Sequence, residues 1–570
     1  MYLKSLYPLP PPIPDRNFHY SLSGVPSSSD YVLHIDGLTG RQRSRKEFDE
    51  LVLDGATALG ASKLQGGLNL SKESGDMVGI YSPNTLDFIA LVHSLLAIAT
   101  PFALLPAFAT PFELLHAIKT ARPTCLFAHP SVLPQAIAAG KEIGLDESHV
   151  YVLEGKYENK KSFADLVADA RRRKIPRVPV RPVVKDTLAY LVFSSGTSGL
   201  PKAVMISHGN LWAIIQSAML TITEEMKLTK QEPPSQPMLW MAALPLYHSY
   251  GLHMFGFRGF LAPSTFVILP KWDTKRVLEL VGRYKINVLP MVPSMLHNMV
   301  HSGYMEKADL SSVSQVMVGA AASPKELYEK VHKHAPNVLR ITEGYGLSEA
   351  TVSAALKPAP GMFGLQPILG SCGILLPGME ARIVRDDGSE ADWDEPGEIW
   401  LRGGNIALGY YGNERATREA FVADGWLRTG DKLKADRSQT LYFVERAKDT
   451  LKVSGVQVSP LEIENVLNAH PGKLIIDVSV AGVSGDRLSD EKVPRAWVVL
   501  SQDGKRVGAA KVSRELELWV QKNLSRPKWL RGGLEVVDEI PKLPTGKVLR
   551  RVLQERYERQ RAVSQSRARL

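Results

Sequence analysis

The 570-residue chain has only two cysteines, Cys125 and Cys372, far apart. So few exclude a disulfide-stapled scaffold and favour a reducing compartment. No His/Cys cluster has zinc-ligand spacing. The opening residues, MYLKSLYPLPPPIPDRN, lack an apolar signal core, so no secretory leader is expected, and their proline run suggests an extended lead-in. A clean apolar run of the ~20 residues that a membrane span needs is also missing. The most apolar stretch, Phe88–Phe108, is interrupted by His93, Pro101 and Pro106 and is expected to be a buried helix followed by a turn. No fixed-period repeat is present. Acidic charge is in deficit, with a net charge of +10, which at first suggests a nucleic-acid partner. Residues 541–570, however, hold nine Lys/Arg and two Glu, a net of +7, leaving +3 for the other 540 residues. The basicity therefore belongs to a tail, expected beyond Lys547 to be a solvated leader, and no nucleic-acid surface follows from it.

What is present is length and apolar content for more than one core. Hydrophobic residues make up 44% of the chain, and single cores stop growing near ~250–300 residues. Strand-like runs at Thr187–Phe193, Met238–Leu244, Thr265–Leu269, Asn287–Met291 and Gln315–Val318 alternate with helical stretches such as Lys275–Tyr284 and Pro324–His334. Such alternation predicts layered α/β sheets with largely parallel strands. The basic, proline-spaced stretch Arg171–Val184 reads as a connector. From about residue 376, short β-like runs (Glu380–Arg385, Gly397–Arg402, Gln439–Glu445) predict a β subdomain. After residue 447 a small α+β unit is expected, with helices at Pro460–Asn468 and Ser513–Asn523 and strands at Val478–Val483, Ala496–Leu500 and Leu534–Val537. The expected domains are residues 1–447 and 448–570.

Directly after the strand Thr187–Phe193 comes Ser194-Ser195-Gly196-Thr197-Ser198-Gly199-Leu200-Pro201-Lys202. Its glycines permit a tight turn, its hydroxyls and backbone N–H groups can surround a polyanion, and its Lys adds a point charge. It lacks the spacing of a Walker A loop, and composition alone allows a polar turn equally well. The segment is very similar to the phosphate loop of the adenylate-forming superfamily, which includes acyl-CoA synthetases, 4-coumarate–CoA ligases, firefly luciferase and peptide-synthetase adenylation domains. Five further segments resemble that superfamily in its own order. Gly319-Ala320-Ala321-Ala322-Ser323 resembles the small-residue loop beside adenine, with the usual Pro displaced to Pro324. Tyr345-Gly346-Leu347-Ser348-Glu349 resembles Tyr-Gly-x-Thr-Glu, with Ser348 keeping the hydroxyl. The resemblance implies that Tyr345 stacks on adenine, Ser348 touches the α-phosphate and Glu349 holds Mg²⁺; an aromatic face suits a base and a carboxylate suits a hard cation.

Thr429-Gly430-Asp431 resembles the motif whose Asp holds the ribose hydroxyls. Glu445-Arg446-Ala447-Lys448-Asp449 and Lys452-Val453-Ser454-Gly455-Val456-Gln457 resemble the hinge region. This implies Arg446 at ribose, Lys448 as hinge and a loop through Lys452, Gly455 and Gln457 that enters the site; Ser454 stands where the family often has a second Lys. Pro541-Lys542-Leu543-Pro544-Thr545-Gly546-Lys547 matches the terminal lysine motif. The resemblance implies that Lys547 contacts the carboxylate and α-phosphate during adenylation, with Thr197 and His248 as further catalytic groups, and that the C-terminal domain is mobile.

Leu244-Pro245-Leu246-Tyr247-His248-Ser249-Tyr250-Gly251 bears on the branch. Amino-acid-activating members usually place here an Asp to pair with the substrate ammonium; this chain has His248 and Tyr250 instead, so an ammonium would be left unpaired. His248 resembles the gate of carboxylate–CoA ligases. By alignment with aromatic-acid ligases, Tyr250, Met254, Ala320, Gly346 and Ser353 line an acyl pocket, read as mostly apolar and fit for an aromatic or medium-to-long aliphatic acid. No carrier domain follows residue 570, which favours a free-standing ligase. The expected substrates are that acid, ATP and CoA, with Mg²⁺. Alternatives are a luciferase-like oxygenase and an enzyme loading a carrier protein. Ala568-Arg569-Leu570 fits the small–basic–leucine peroxisomal address, so a peroxisomal import receptor is an expected partner; without it the location would be cytoplasmic.

Overall fold

Residues Leu86–Ala97 form a helix in which all twelve side chains are buried, as a helix that is apolar on every side must be. The second half of that apolar stretch is not only a turn: Phe102–Leu105 is a fully buried strand between two parallel neighbours. A short run buried on both faces shows no alternation, so periodicity could not separate it from its helix. The computed structural model describes the chain except residues 21–29, 195–200, 231–235, 320–324, 339, 447–450, 454–455, 486–491, 525, 544–545, 547 and 569–570. No described helix is long and apolar enough to cross a membrane.

Two large sheets have mainly parallel strands. The six-stranded sheet runs, edge to edge, Val150–Val152, Cys125–Ala128, Val78–Tyr81, Phe102–Leu105, Leu188–Ser194 and Lys202–Ser207, with only the last pair antiparallel. The nine-stranded sheet has a parallel centre of Arg340–Tyr345, Gln315–Val318, Val288–Met291, Met238–Ala242, Ser264–Ile268 and Val32–Asp36. Helices cover the sheets; Thr274–Tyr284 buries Val277, Leu278, Leu280 and Val281, the i, i+3, i+4 stripe of an amphipathic helix. The connector read from Arg171 starts two residues later, because Phe163–Arg172 is a helix closed at its start by a Ser162–Asp165 capping box.

A third sheet has the order Tyr2–Lys4, Glu380–Val384, Gly397–Arg402, Trp426–Ala435, Phe421–Val422, and Leu441–Arg446 also pairs with Trp426–Ala435. The N-terminus is thus no free lead-in, since Tyr2, Leu3 and Lys4 pair with Arg382, Ala381 and Glu380. Three residues with one buried side chain, Leu3, are too few to show a period.

Contacts divide the chain into two units. One comprises Met1–Asp394, Ile399–Thr429 and Ala435–Tyr442; the other comprises Glu395–Glu398, Gly430–Lys434 and Phe443–Leu570. In the second, Ile475–Ser484 pairs antiparallel with Lys492–Leu500, which pairs parallel with Leu534–Val536. Helices Pro460–Asn468 and Ala509–Asn523 bury Ile463, Leu467, Val512, Leu516 and Val520 in the core beside that sheet.

The basic tail is not a solvated leader. Arg550–Ala568 is a helix whose Leu553 is buried. Arg550 Nε donates to Val480 O at 3.0 Å, Gln554 Nε2 to Gly482 O at 2.7 Å, and Arg561 to Ser484 O, while Ser484 N donates to Glu558 at 2.9 Å. Residues 480, 482 and 484 point their polar groups away from the partner strand. The helix therefore covers a sheet edge with side chains. Arg550 also pairs with Glu464 at 2.8 Å. A strongly polar helix held by its charged groups has little apolar stripe, so composition made it look like a tail.

Candidate active site

The strands Leu188–Ser194 and Lys202–Ser207 are antiparallel neighbours, with Ser194 opposite Lys202. The phosphate-loop segment consequently joins the paired ends of a hairpin. Ser195, Gly196, Thr197, Ser198 and Gly199 lie outside the described residues. At the exit, His116 Nε2 is 2.9 Å from Pro201 O. Lys202 Nζ lies over the ring of Tyr410, 4.7 Å from its centroid, a cation–π distance.

Tyr345 ends the strand Arg340–Tyr345 and is buried. A Cβ on Gly346 would come within 1.8 Å of Val352 O. Glycine is required there by the returning backbone, whatever room it also leaves for an acyl group. Ser348 opens a short helical turn and its hydroxyl accepts from Ser249 at 3.4 Å. Glu349, half-buried, accepts a hydrogen bond from Tyr410 OH at 2.9 Å, and its backbone carbonyl accepts from Ala407 N at 2.9 Å. The turn then passes through two β-branched residues with positive φ, Thr351 at 47° and Val352 at 85°, a conformation such residues rarely adopt. It is held by Asn405: Asn405 Nδ2 donates to Ala350 O and Ser353 O, both at 2.9 Å, and Thr351 Oγ1 donates to Asn405 O at 2.6 Å. Asn210 in turn donates to Gly404 O and Ile406 O. Sequence reading missed Asn405 and Tyr410. The available signal was the run Gly403-Gly404-Asn405 and Gly409-Tyr410, whose glycines mark close backbone approach.

His248, Tyr250 and Gly319 come together. Tyr250 N donates to His248 Nδ1 at 3.3 Å. Since a backbone N–H can only donate, Nδ1 is the bare nitrogen and the ring proton is on Nε2. Burial lowers the His248 pKa to about 4, so the ring is neutral at pH 7. The Tyr250 ring lies where a Cβ on Gly319 would be, 2.9 Å away, and its hydroxyl donates to Met317 O at 3.3 Å. Met254 is buried within a π-helical turn, His253–Phe257. Ala320 and Ala321 lie outside the described residues. Behind Tyr345, on the same strand, Glu343 is buried and pairs with Lys357 while accepting from Tyr328 OH. Replacing Lys357 by Met leaves that carboxylate buried without its cation. The expected loss is about 3–5 kcal/mol of stability, read as a lower denaturation midpoint.

In the second unit, Asp431 is buried within the strand Trp426–Ala435. Gly430 before it has φ 69°, and its N–H donates to Glu398 at 3.0 Å; a left-handed residue inside a strand calls for glycine. Arg446 ends the strand Leu441–Arg446. Lys452 lies opposite Gln457 in the hairpin of Leu451–Val453 and Val456–Val458. Lys448, Gly455 and Lys547 lie outside the described residues. The chain around Lys547 is anchored on both sides: Gly546 N donates to Leu543 O, Lys542 bridges to Val548, and Lys542 Nζ pairs with Asp477 at 2.6 Å.

Among the described residues no three His, Cys, Asp or Glu side chains converge as a metal cage. Magnesium requires none, because it keeps waters and phosphate oxygens and takes one or two carboxylates. Glu349, which follows Ser348 in the same short turn, supplies one half-buried carboxylate.

Known proteins resemble this chain over most of its length. A rice (Oryza sativa subsp. japonica) protein named 4-coumarate--CoA ligase 5 is 32% identical over 553 residues, covering 94% of this chain and 93% of that one. Acyl-CoA ligase AKT1 of Alternaria alternata is 29% identical over 570 residues, covering 96% and 95%. Among solved structures, ATP-bound MatB from Rhodopseudomonas palustris superposes with a TM-score of 0.78 at 24% identity, over 95% of this chain and 98% of that one, which establishes the shared fold. The profile of the AMP-binding enzyme C-terminal domain matches residues 462–547. That of the AMP-binding enzyme matches residues 40–411, a stretch holding the phosphate hairpin, Tyr345, Glu349 and Tyr410, and the chain belongs to the AMP-binding enzyme family.

Proposed function

We propose that the protein is an AMP-forming carboxylate–CoA ligase. The observation that carries this is the convergence of Lys202 and Glu349 on Tyr410 at the foot of the phosphate hairpin: a cation and a carboxylate held where a triphosphate and its counter-ion would lie. In the first step a carboxylate oxygen of the acid attacks the α-phosphorus of ATP, the bond to pyrophosphate breaks, and an acyl-adenylate forms. The hairpin residues Ser194–Lys202 bind the phosphates, Tyr345 packs on adenine, Asp431 and Arg446 hold the ribose, and Lys547 brings the two anions together. Glu349 would hold the magnesium that travels with ATP and offsets phosphate charge. In the second step the CoA sulfur attacks the acyl carbon, its proton leaves to solvent, and the bond to AMP breaks. The C-terminal domain turns about Lys448 between steps and presents Lys452, Gly455 and Gln457.

The acid we favour is aromatic or medium-to-long aliphatic. His248 is neutral and Tyr250 keeps its proton, because burial raises its pKa. Neither offers a charge to pair with an ammonium, so the surroundings suit an uncharged acyl tail. A screen of AMP and pyrophosphate release over aromatic, fatty and branched acids, with and without CoA, tests this. CoA-dependent AMP formation with one class supports the ligase. Oxygen uptake or light from the adenylate supports the luciferase-like alternative, and turnover only with an acyl carrier protein supports the loading alternative.

For location we propose the peroxisome, by way of Ala568-Arg569-Leu570. Removing these three residues is expected to leave activity intact and move a fluorescently tagged protein to the cytosol; an unchanged location would refute the address.

A further inference from the structure

Tyr410 has no part in the chemistry above, yet it touches both charged groups at the foot of the hairpin. Residues 408–411 run as an added strand beside Lys202–Ser207. Leu408 N donates to Met205 O, Met205 N to Gly409 O, and Tyr411 N to Ala203 O, with Tyr410 opposite Val204. The ring is packed edge-on against Phe421, with centroids 5.5 Å apart, and Tyr410 N donates to Thr417 Oγ1 at 3.0 Å. Its face carries the Lys202 ammonium and its hydroxyl reaches Glu349 Oε1. Burial, and next the Glu349 carboxylate, raise the phenol's pKa above its ordinary value, so it remains an O–H donor.

Resting on the reading of Glu349 as the carboxylate that holds magnesium–ATP, we propose that Tyr410 is a positioning residue that aims this carboxylate. By fixing Oε1 through its hydroxyl it leaves Oε2, which accepts from no described residue, to face the ion. The backbone bond from Ala407 N to Glu349 O fixes the main chain, and the Tyr410 hydroxyl restrains the side chain, so less entropy is lost on binding. The ring has a second use, because it keeps Lys202 within reach of the hairpin while the hydroxyl orients the carboxylate. The segment Gly403–Tyr411 thereby links the two ends of the phosphate-binding apparatus.

The test is titration of a non-hydrolysable ATP analogue into the full-length protein, in magnesium and in EDTA, for wild type, Tyr410→Phe and Glu349→Gln. Tyr410→Phe keeps the ring under Lys202 and removes only the hydroxyl. It is expected to weaken binding about tenfold in magnesium, the scale of a lost hydrogen bond to a charged group, and to leave binding in EDTA unchanged. Glu349→Gln is expected to abolish the gain from magnesium. Equal weakening of Tyr410→Phe in both media would mean a merely structural role, and no weakening in either would mean no role; each overturns the proposal while leaving Glu349 as the ion's ligand. A magnesium gain that survives in Glu349→Gln would overturn the assignment of Glu349 and, with it, that of Tyr410. Should Tyr410→Phe also lower the melting temperature, the ratio of affinities still decides, since partial unfolding weakens both media alike.

Discussion

Lys547→Ala is expected to lower the rate of acyl-adenylate formation by ~10²-fold or more, the scale of a lost transition-state donor. Thioester formation from supplied acyl-adenylate and CoA is expected to survive. The proposed mechanism separates the two half-reactions, because it uses Lys547 against the acid and the α-phosphate only while the P–O bond is made. The anchors on both sides of the residue make the experiment clean. Lys542 remains paired with Asp477, and the Leu543–Gly546 turn keeps its backbone bond, so removing one side chain does not dissolve the loop. Pyrophosphate release and adenylate thiolysis, measured separately on the same preparation, check this. Equal loss of both would contradict the alternation of the C-terminal domain between steps.

The second large effect is acid instability. His19, His34, His93, His208 and His253 are all buried. Burial lowers their pKa values from 6.5 to about 4 for His19 and about 3 for His93, His208 and His253, and well below 6.5 for His34. Each is therefore neutral in the folded protein and protonated more readily in the unfolded chain. Below pH 6.5 the unfolded state binds more protons, so stability is complete above that pH and falls as pH falls towards the folded values. Each group removes about 1.4 kcal/mol per pH unit in that window. With five such rings the combined loss is a sizeable part of the ~5–15 kcal/mol that holds a protein folded. The melting temperature is expected to drop steeply between pH 6.5 and 5, before most carboxylates titrate. A flat profile across that interval would contradict the neutral, buried state of these rings.

Much of the architecture was legible from sequence, and for identifiable reasons. The strands Gln315–Val318 and Gly397–Arg402 and the helix Pro460–Asn468 begin and end where they were read. Each is a compact apolar run or stripe bounded by a turn residue or opened by a proline. The segment Ser194–Lys202 stood out only through its resemblance to a family motif, since its glycines and hydroxyls by composition alone allow a polar turn equally well. The elements that escaped are held by polar groups or by very few residues. Tyr2–Lys4 gains its place from a sheet edge supplied some 380 residues later. Arg550–Ala568 is pinned by Arg550, Gln554, Glu558 and Arg561 to the edge of Ile475–Ser484, and long-range side-chain-to-backbone bonds leave no periodic trace. Tyr410 and Asn405 escaped for the same reason. Asn405 acts on the strained turn at Thr351 and Val352, visible only when the backbone returns over Gly346, and Tyr410 on Glu349, 61 residues earlier.

The central claim, that the acid's own oxygen attacks the α-phosphorus, is tested most directly by isotope transfer. An acid that supports turnover is labelled with ¹⁸O in its carboxyl group and incubated with the protein, ATP and CoA. The AMP is then weighed by mass spectrometry. One labelled oxygen in AMP, with pyrophosphate and acyl-CoA as the other products, is the predicted result. Unlabelled AMP, or ADP with labelled phosphate, would contradict it.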